Sequence, residues 1–421
     1  MIDEQLAKGM EDAVSKEIQT EKSRITKFLE QDKENATLEK VHKKFKEHYH
    51  IANTNHIDVI LATALSFRMQ GDPIWLIFYG ASGDLKTGIT KSLLGLQDVV
   101  LLDNITPNTL ASGKPDVKDL GFKLQNSNHI LLIPDLATLI SKNIDEKNEI
   151  WGQLRTLYDG YINKRTGSGV ERKYEGTHVT LIACATNMIC DEVLVHAQLG
   201  TRDFMYSTGA DPMDMNEKME RAWDNVNKEG EISKETQEII SSFCRFHFIR
   251  EIPVSEDMKD FIMKQAVKLM ILRASGAVDR SSRELLNPVV PEVPTRLSKQ
   301  FKKLYFGLKA LDENYPDEKC KEIISHIVDS SGHKVRQMVL SELEKSNPLD
   351  KWFKINEVQF NTRLSRGAVK QQLETLWNMH VIEKKLVDEN VGGHLETNEY
   401  DKEYYRGGHI EEVAYYRRQQ I

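Results

Sequence analysis

The sequence predicts an α/β fold, on three observations: short apolar runs of the kind buried in a parallel sheet, helical or polar stretches between them, and a glycine-bearing loop directly after the first run. The first run, Ile74 to Tyr79, follows a helical pattern over Ile57 to Met69 that Gly71-Asp72-Pro73 stops. It is apolar at every position rather than alternating, as befits a strand covered on both faces. Three more runs, Val99 to Leu102, His129 to Ile133 and Val179 to Ala185, complete the β-α-β series.

Past about residue 210 the pattern turns helical. Ser255 to Ala274 carries Met258, Phe261, Ile262, Ala266, Leu269 and Leu272 on one stripe, and Pro288, Pro291 and Pro294 precede a second helix over Thr295 to Leu311. These predict an all-α lid. From about Asp317 come helices, a short helix over Ser365 to Met379, the segment Val381 to Leu386 and a Gly392-Gly393 turn, the order of a winged helix. At the other end, residues 1–50 hold ten Lys/Arg and eleven Asp/Glu with a thin stripe of Ile25, Phe28, Leu29 and Val41, which reads as exposed helix. His48, His50 and His56 read there as solvated helix-end histidines, since no Cys or spaced carboxylate accompanies them. The expected division is a charged arm at 1–54, a core at 55–210, a lid at 211–316, and a winged-helix domain with tail at 317–421.

Composition narrows the classes of function. With 421 residues, 40% of them apolar and 29% charged, the chain can bury several cores. The net charge of −7 removes the argument from a globally basic protein, so any nucleic-acid surface must be local. Cys184, Cys190, Cys244 and Cys320 show neither disulfide nor zinc spacing, which points to a reducing cytoplasm. No run of about 18 apolar residues exists, so no membrane role is expected.

Gly80-Ala81-Ser82-Gly83-Asp84-Leu85-Lys86-Thr87 sits between the first strand and a helix over Gly88 to Leu96, the context of a GxxxxGK[ST] phosphate-binding loop. Such a loop wraps phosphates in backbone N–H groups, reaches their oxygens with Lys86, and offers Thr87 to Mg²⁺. Leu85 stands where the second motif glycine is expected, which bears on loop geometry and affinity. Asp135, ending the strand Ile130 to Ile133 after Pro134, is the acid that would share the metal with Thr87; a turn acid is the plain alternative. Leu136 occupies the place of a catalytic glutamate. Asp103, at the end of the second strand, is a substitute base on topology, with a turn role as its rival. Asn187, at the tip of the Val179 strand, would orient water, and turns also favour Asn there. Arg202, in Leu199-Gly200-Thr201-Arg202-Asp203-Phe204, would reach a neighbouring subunit's γ-phosphate, or is a surface Arg. Arg296, opening the lid helix, is a second cationic candidate.

Together with Ile105 to Gly113, Pro134-Asp135-Leu136, Gln153 to Gly160 and the carboxy-terminal winged-helix pattern, these residues make the chain resemble AAA-like P-loop ATPases of phages, plasmids and archaeal elements. They are distantly similar to minichromosome-maintenance and superfamily-three helicases. The likeness covers about residues 55–385. It implies an ATP- and Mg²⁺-dependent homo-oligomer, commonly a hexamer, acting on DNA in replication alongside replication proteins. A helicase loader, initiator or transposition regulator without unwinding is the alternative, and a host-defence ATPase a third.

Tyr161 to Tyr174 reads as a hairpin around Gly167-Ser168-Gly169, and in the resembled helicases a hairpin there lines the channel. Lys164, Arg165, Arg172 and Lys173 would form its positive tip against Glu171, with a solvated hairpin as the bland reading. In the winged helix the DNA candidates are Arg363, Arg366 and Lys370 at the Ser365 helix and Lys384 and Lys385 on the wing. The tail from Tyr400 mixes Tyr404, Tyr405, Tyr415 and Tyr416 with Arg406, Arg417 and Arg418, a pairing able to stack on bases; a final strand followed by an exposed end helix is the reading preferred here.

Overall fold

A computed structural model describes residues 33–34, 36–167, 169–190, 202–209, 215–276, 279, 285–345, 351–391, 394–397, 403–406 and 409–418. The chain forms two compact units. The first comprises residues 1–187, 202–258 and 299–323, the second residues 188–201, 259–298 and 324–421.

In chain order the first unit holds α1 (Leu38–His48), α2 (Asn55–Leu65), β1 (Trp75–Tyr79), α3 (Lys86–Lys91), β2 (Val99–Leu101), α4 (Leu120–Leu124), β3 (Ser127–Ile133), α5 (Ala137–Ile140) and α6 (Ile144–Tyr158). It continues with β4 (Tyr161–Arg165), β5 (Glu171–Glu175), β6 (Thr177–Ala185), β7 (Asp203–Ser207), α7 (Met215–Asp224) and α8 (Glu229–Phe246). Five strands form one parallel sheet in the order β2-β3-β6-β1-β7, while β4 and β5 pair as a separate antiparallel hairpin. This is an α/β architecture compatible with a nucleotide-binding core. Every residue of β1 is buried, as its unbroken apolar run requires, and Phe78 stacks on Tyr206 with ring centroids 4.9 Å apart.

Two expectations are corrected here. The chain contains a fifth buried strand: β7 pairs with β1 in the register Trp75↔Asp203 through Tyr79↔Ser207, where the sequence suggested only a glycine turn. Its run Asp-Phe-Met-Tyr-Ser is short and lacks β-branched residues, so periodicity gives it no signal. The described part of the arm is also packed rather than exposed. In α1, Val41 and Phe45 are fully buried, Thr37 caps the first turn, and Lys44 and His48 both reach Glu235 of α8. Below α1, fully buried Asp58 meets His42 at 2.5 Å and accepts a hydrogen bond from the Tyr315 hydroxyl at 2.7 Å. His48, His50 and His56 are each engaged, with Glu235, Glu217 and Tyr206 respectively. Ile25, Phe28 and Leu29 lie outside the described residues.

Helices α9 (Glu256–Arg273), α10 (Thr295–Lys309) and α11 (Asp317–Ser331) follow, matching the two predicted helices of the lid to within a few residues. Lys303 of α10 is buried and donates to the carbonyls of Met69 and Asp72 at the entry to β1, and burial pushes its ammonium down to about 8.

In the second unit α12 (Lys334–Glu344), β8 (Phe353–Lys354), α13 (Ile355–Thr362), α14 (Arg366–Asn378), β9 (Ile382–Val391), β10 (His394–Thr397), β11 (Glu403–Arg406) and β12 (His409–Arg418) follow one another. β8, β12 and β9 form a three-stranded antiparallel sheet with β12 central, and β10 pairs with β11. Phe353, Ile382 and Tyr416 fill one side of the larger sheet. Among the described residues of the tail, 409–418 are strand, where part of an end helix was expected. Beneath the helices, buried Arg336 donates to the carbonyls of Ile271, Leu272 and Ala274 at the end of α9 and to Gln372 of α14. Among the described residues no helix is long and apolar enough to cross a membrane.

Candidate functional site

All five strands of the large sheet run the same way, so the loops leaving their carboxyl ends emerge along one edge. Four of them matter: Gly80 to Leu85 after β1, Pro134 to Leu136 after β3, Thr186-Asn187 after β6, and Thr208-Gly209 after β7. Because β6 separates β1 from β3, Asn187 stands between the loop and Asp135 in the order of the sheet.

The loop's shape follows from its close approaches. Gly80 lies against Thr208, and a Cβ there would come within 2.1 Å of the Thr208 hydroxyl. Only glycine fits. Thr208 in turn donates its backbone N–H to the Tyr79 carbonyl at 2.9 Å, tying the end of β7 to the end of β1. Gly83 turns the chain at φ +83°, and Leu85 adopts the left-handed conformation at φ 53°. A left-handed leucine costs roughly 1–2 kcal/mol. The loop therefore keeps the backbone a glycine would take, although the side chain is Leu. That side chain, with Gly83, Tyr49, His50, Lys218 and Arg221, lines a cleft of about 250 Å³ beside the loop.

Lys86, the first residue of α3, is buried, and its Nζ donates to the carbonyls of Ala81 at 2.5 Å and Gly80 at 3.2 Å. The ammonium thus lies inside the loop's curve. Asp84 receives Lys218 of α7 at 2.9 Å. Burial opposes ionisation of Asp84, but hydrogen bonding, that of Lys218 included, holds its carboxyl below the usual range. Thr87 is exposed.

Asp135 is exposed at the end of β3, and one of its oxygens accepts the Ala137 N–H at 2.8 Å, so it does cap the turn into α5. Leu136 is buried, with its N–H on the Cys184 carbonyl at 2.8 Å, and can bring no polar group to the site. Asn187 is exposed at the tip of β6. Asp103 follows β2, three strands from β1, which at strand spacing is about 14 Å against about 10 Å for β3. Cys184, near the end of β6, is buried, and desolvation pushes its thiol up to about 11, so it is no nucleophile.

Arg202 immediately precedes β7 and so sits at the opposite edge of the sheet from the loop. It grips Asp159 at 2.9 Å and lies over the Tyr158 ring. Arg296 belongs to the second unit and stands 3.9 Å from Glu292.

The four cations of the β4–β5 hairpin divide into two kinds. Lys164 donates to the Pro107 carbonyl at 2.6 Å and pairs with Glu149 at 3.1 Å. Arg172 donates to the carbonyls of Ser112, Lys114, Pro115 and Val117, with Asp119 3.6 Å away. Both hold the loop between β2 and α4 rather than project outward. Arg165 and Lys173 are the outer pair; they meet Glu171 and Glu175 on the exposed surface, where such pairs are weak and exchangeable. In the second unit, Arg363 is exposed at the left-handed end of α13, Arg366 is exposed in the first turn of α14, and Lys370 lies one turn on. Lys384 is turned inward onto Glu374 at 2.7 Å, whereas Lys385 is exposed. Among the described residues no group of three or more His, Cys, Asp or Glu could hold a metal ion.

Searches of the sequence against protein-family profiles and against curated proteins return no match. Sequence reasoning missed Thr208, Asp84–Lys218 and the cleft residues Tyr49, His50 and Arg221. They depend on β7 pairing with β1 and on α7 meeting both α1 and the loop, for which no local motif exists.

Proposed function

We propose that the first unit is an ATP-binding P-loop core and that the chain is an oligomeric, ATP-dependent DNA motor. The observation that carries this reading is the left-handed backbone of Leu85 with Lys86 inside the loop, since a strained leucine persists where the surrounding structure requires that turn. Gly80 to Thr87 would cradle the phosphates and Lys86 would meet their oxygens. Thr87 and Asp135 supply hard oxygen donors of the kind that Mg²⁺ takes, and the ion would neutralise charge on the phosphates. Asn187 is suited to orient water and Arg202 to act on a neighbouring subunit's site, which fits its place away from its own loop.

DNA would meet Arg165 and Lys173 on the hairpin, with Lys164 and Arg172 positioning its base. The β8-α13-α14-β9-β12 order supports a winged-helix reading of the second unit, with Arg363, Arg366 and Lys370 on its DNA side. A second reading, an ATP-switched loader, initiator or transposition regulator, is favoured by buried Leu136, which offers no polar group where a catalytic glutamate was expected, and by the distance of Asp103 from the loop. The test is ATP hydrolysis with and without single- and double-stranded DNA. The motor reading expects stimulation by DNA that Lys86→Ala abolishes. Binding of ATP without stimulated turnover would move the conclusion to the second reading.

A further inference from the structure

The outer face of the three-stranded sheet in the second unit brings Lys385 of the wing and Tyr415 and Arg417 of the tail together with two residues that no motif singled out, Trp352 and Lys354. Across its three strands Lys354, Tyr415 and Lys385 stand in one row, because Tyr415 is the register partner of both lysines. Two residues along β12, Arg417 pairs with Glu383 at 2.7 Å. Alternation along the strands puts these side chains on the face opposite buried Phe353, Ile382 and Tyr416. Half-exposed Trp352 joins them at the start of β8: Lys385 Nζ lies 4.4 Å and Arg417 Cζ 4.7 Å from its ring centroid. Tyr415 is flanked likewise, by Lys354 at 5.3 Å and Lys385 at 5.4 Å.

We propose that this face binds single-stranded DNA. Around Trp352 and Tyr415, Lys354, Lys385 and Arg417 gather with Glu383, so among the described side chains this end of the face is locally positive on a chain whose net charge is −7. Each ring has cations beside it, the combination in which bases stack and phosphates find counter-charges. The energetic order permits the exchange. An exposed cation–π contact contributes roughly 0.5–1 kcal/mol, while stacking of one base on an aromatic ring contributes roughly 1–3 kcal/mol. Duplex DNA fits poorly, because the major groove, about 12 Å wide, admits a helix or a two-stranded ribbon. A three-stranded sheet with its side chains is wider, and paired bases do not offer their faces to Trp352. The proposal is independent of the ATPase reading and of the hairpin.

The test uses the full chain without nucleotide and a fluorescein-labelled oligothymidylate of 20 nucleotides, followed by anisotropy over a range of salt. Trp352→Ala should weaken binding at least about fivefold, and Trp352→Phe should restore most of it. Lys385→Ala, at an exposed position that leaves packing intact, should reduce the slope of log affinity against log salt by about 0.7. Lys86→Ala should bind the oligonucleotide like the parent protein, which separates this proposal from the ATPase reading. If Trp352→Ala and Lys385→Ala bind like the parent while an Arg165→Ala/Lys173→Ala pair does not, the strand binds the hairpin and the proposal is wrong. It is equally wrong if duplex of the same length loses as much as the single strand, or if Trp352→Phe is as weak as Trp352→Ala.

Discussion

Arg202 holds Asp159 through two nitrogens, with Nη2 2.9 Å from one carboxylate oxygen and Nε 3.3 Å from the other. The pair lies at the amino edge of the sheet, and Tyr158 packs beneath the guanidinium. An Arg placed so lies away from its own loop; under the proposed function it would serve another subunit's, and subunit mixing tests that. Arg202→Ala and Lys86→Ala proteins, each inactive alone, should regain ATP turnover when mixed, because some interfaces then join an intact Lys86 to an intact Arg202. No gain on mixing would remove Arg202 from the site. Asp159→Asn should change stability by less than about 1 kcal/mol, as for other exposed pairs.

Leu85 gives the sharpest prediction about the loop. Glycine there removes roughly 1–2 kcal/mol of left-handed strain and loosens the unfolded chain by about 0.4–1 kcal/mol. Leu85→Gly should therefore leave urea stability unchanged or slightly raised. Leu85→Val, β-branched at the same φ, should lower it by about 1 kcal/mol or more. Equal stability of the two variants would mean the turn is not strained.

Arg172 acts as a clamp. Its guanidinium is the common donor to four carbonyls of the segment from Ser112 to Val117. Arg172→Ala should release that segment, and limited trypsin digestion should cut after Lys118 several-fold faster than in the parent, whereas Arg165→Ala should not change the rate at that bond.

How much of this was legible beforehand depends on the range of the interactions. The first four strands, the loop and the two lid helices are written locally, in apolar runs, Gly-Asp-Pro punctuation and 3.6-residue stripes, and the structure returns them within a few residues. β7 was missed because its five residues are stabilised by pairing with β1 and by Phe204 stacking on Phe301, contacts distant in sequence. The hairpin's charge was legible, but not its use. Lys164 and Arg172 read as a positive tip until the loop from Pro107 to Val117 is seen to take their hydrogen bonds. In the same way Lys384 and Lys385, adjacent in sequence, face opposite sides of one strand.

A pH effect follows in the second unit. His333 caps α12 by accepting the Arg336 N–H, and burial, aided by the Arg336 charge, pushes its imidazole down to about 4. The folded state thus favours the neutral ring more than the unfolded chain does, whose histidine titrates near 6.5. Its contribution to stability is complete above about pH 6.5 and is lost as pH falls toward 4. Urea unfolding at pH 7.5 and pH 5 should show this loss, and His333→Asn, which keeps a capping side chain, should shrink it. An unchanged pH dependence in the variant would assign the effect elsewhere.

The central claim, that Gly80 to Thr87 binds nucleotide, is tested most directly by titration calorimetry of Mg-ATP into the parent protein and Lys86→Ala. The account predicts saturable binding to the parent with one site per chain, weakened at least tenfold in the variant. Equal affinity in both, or no binding to either, would contradict it.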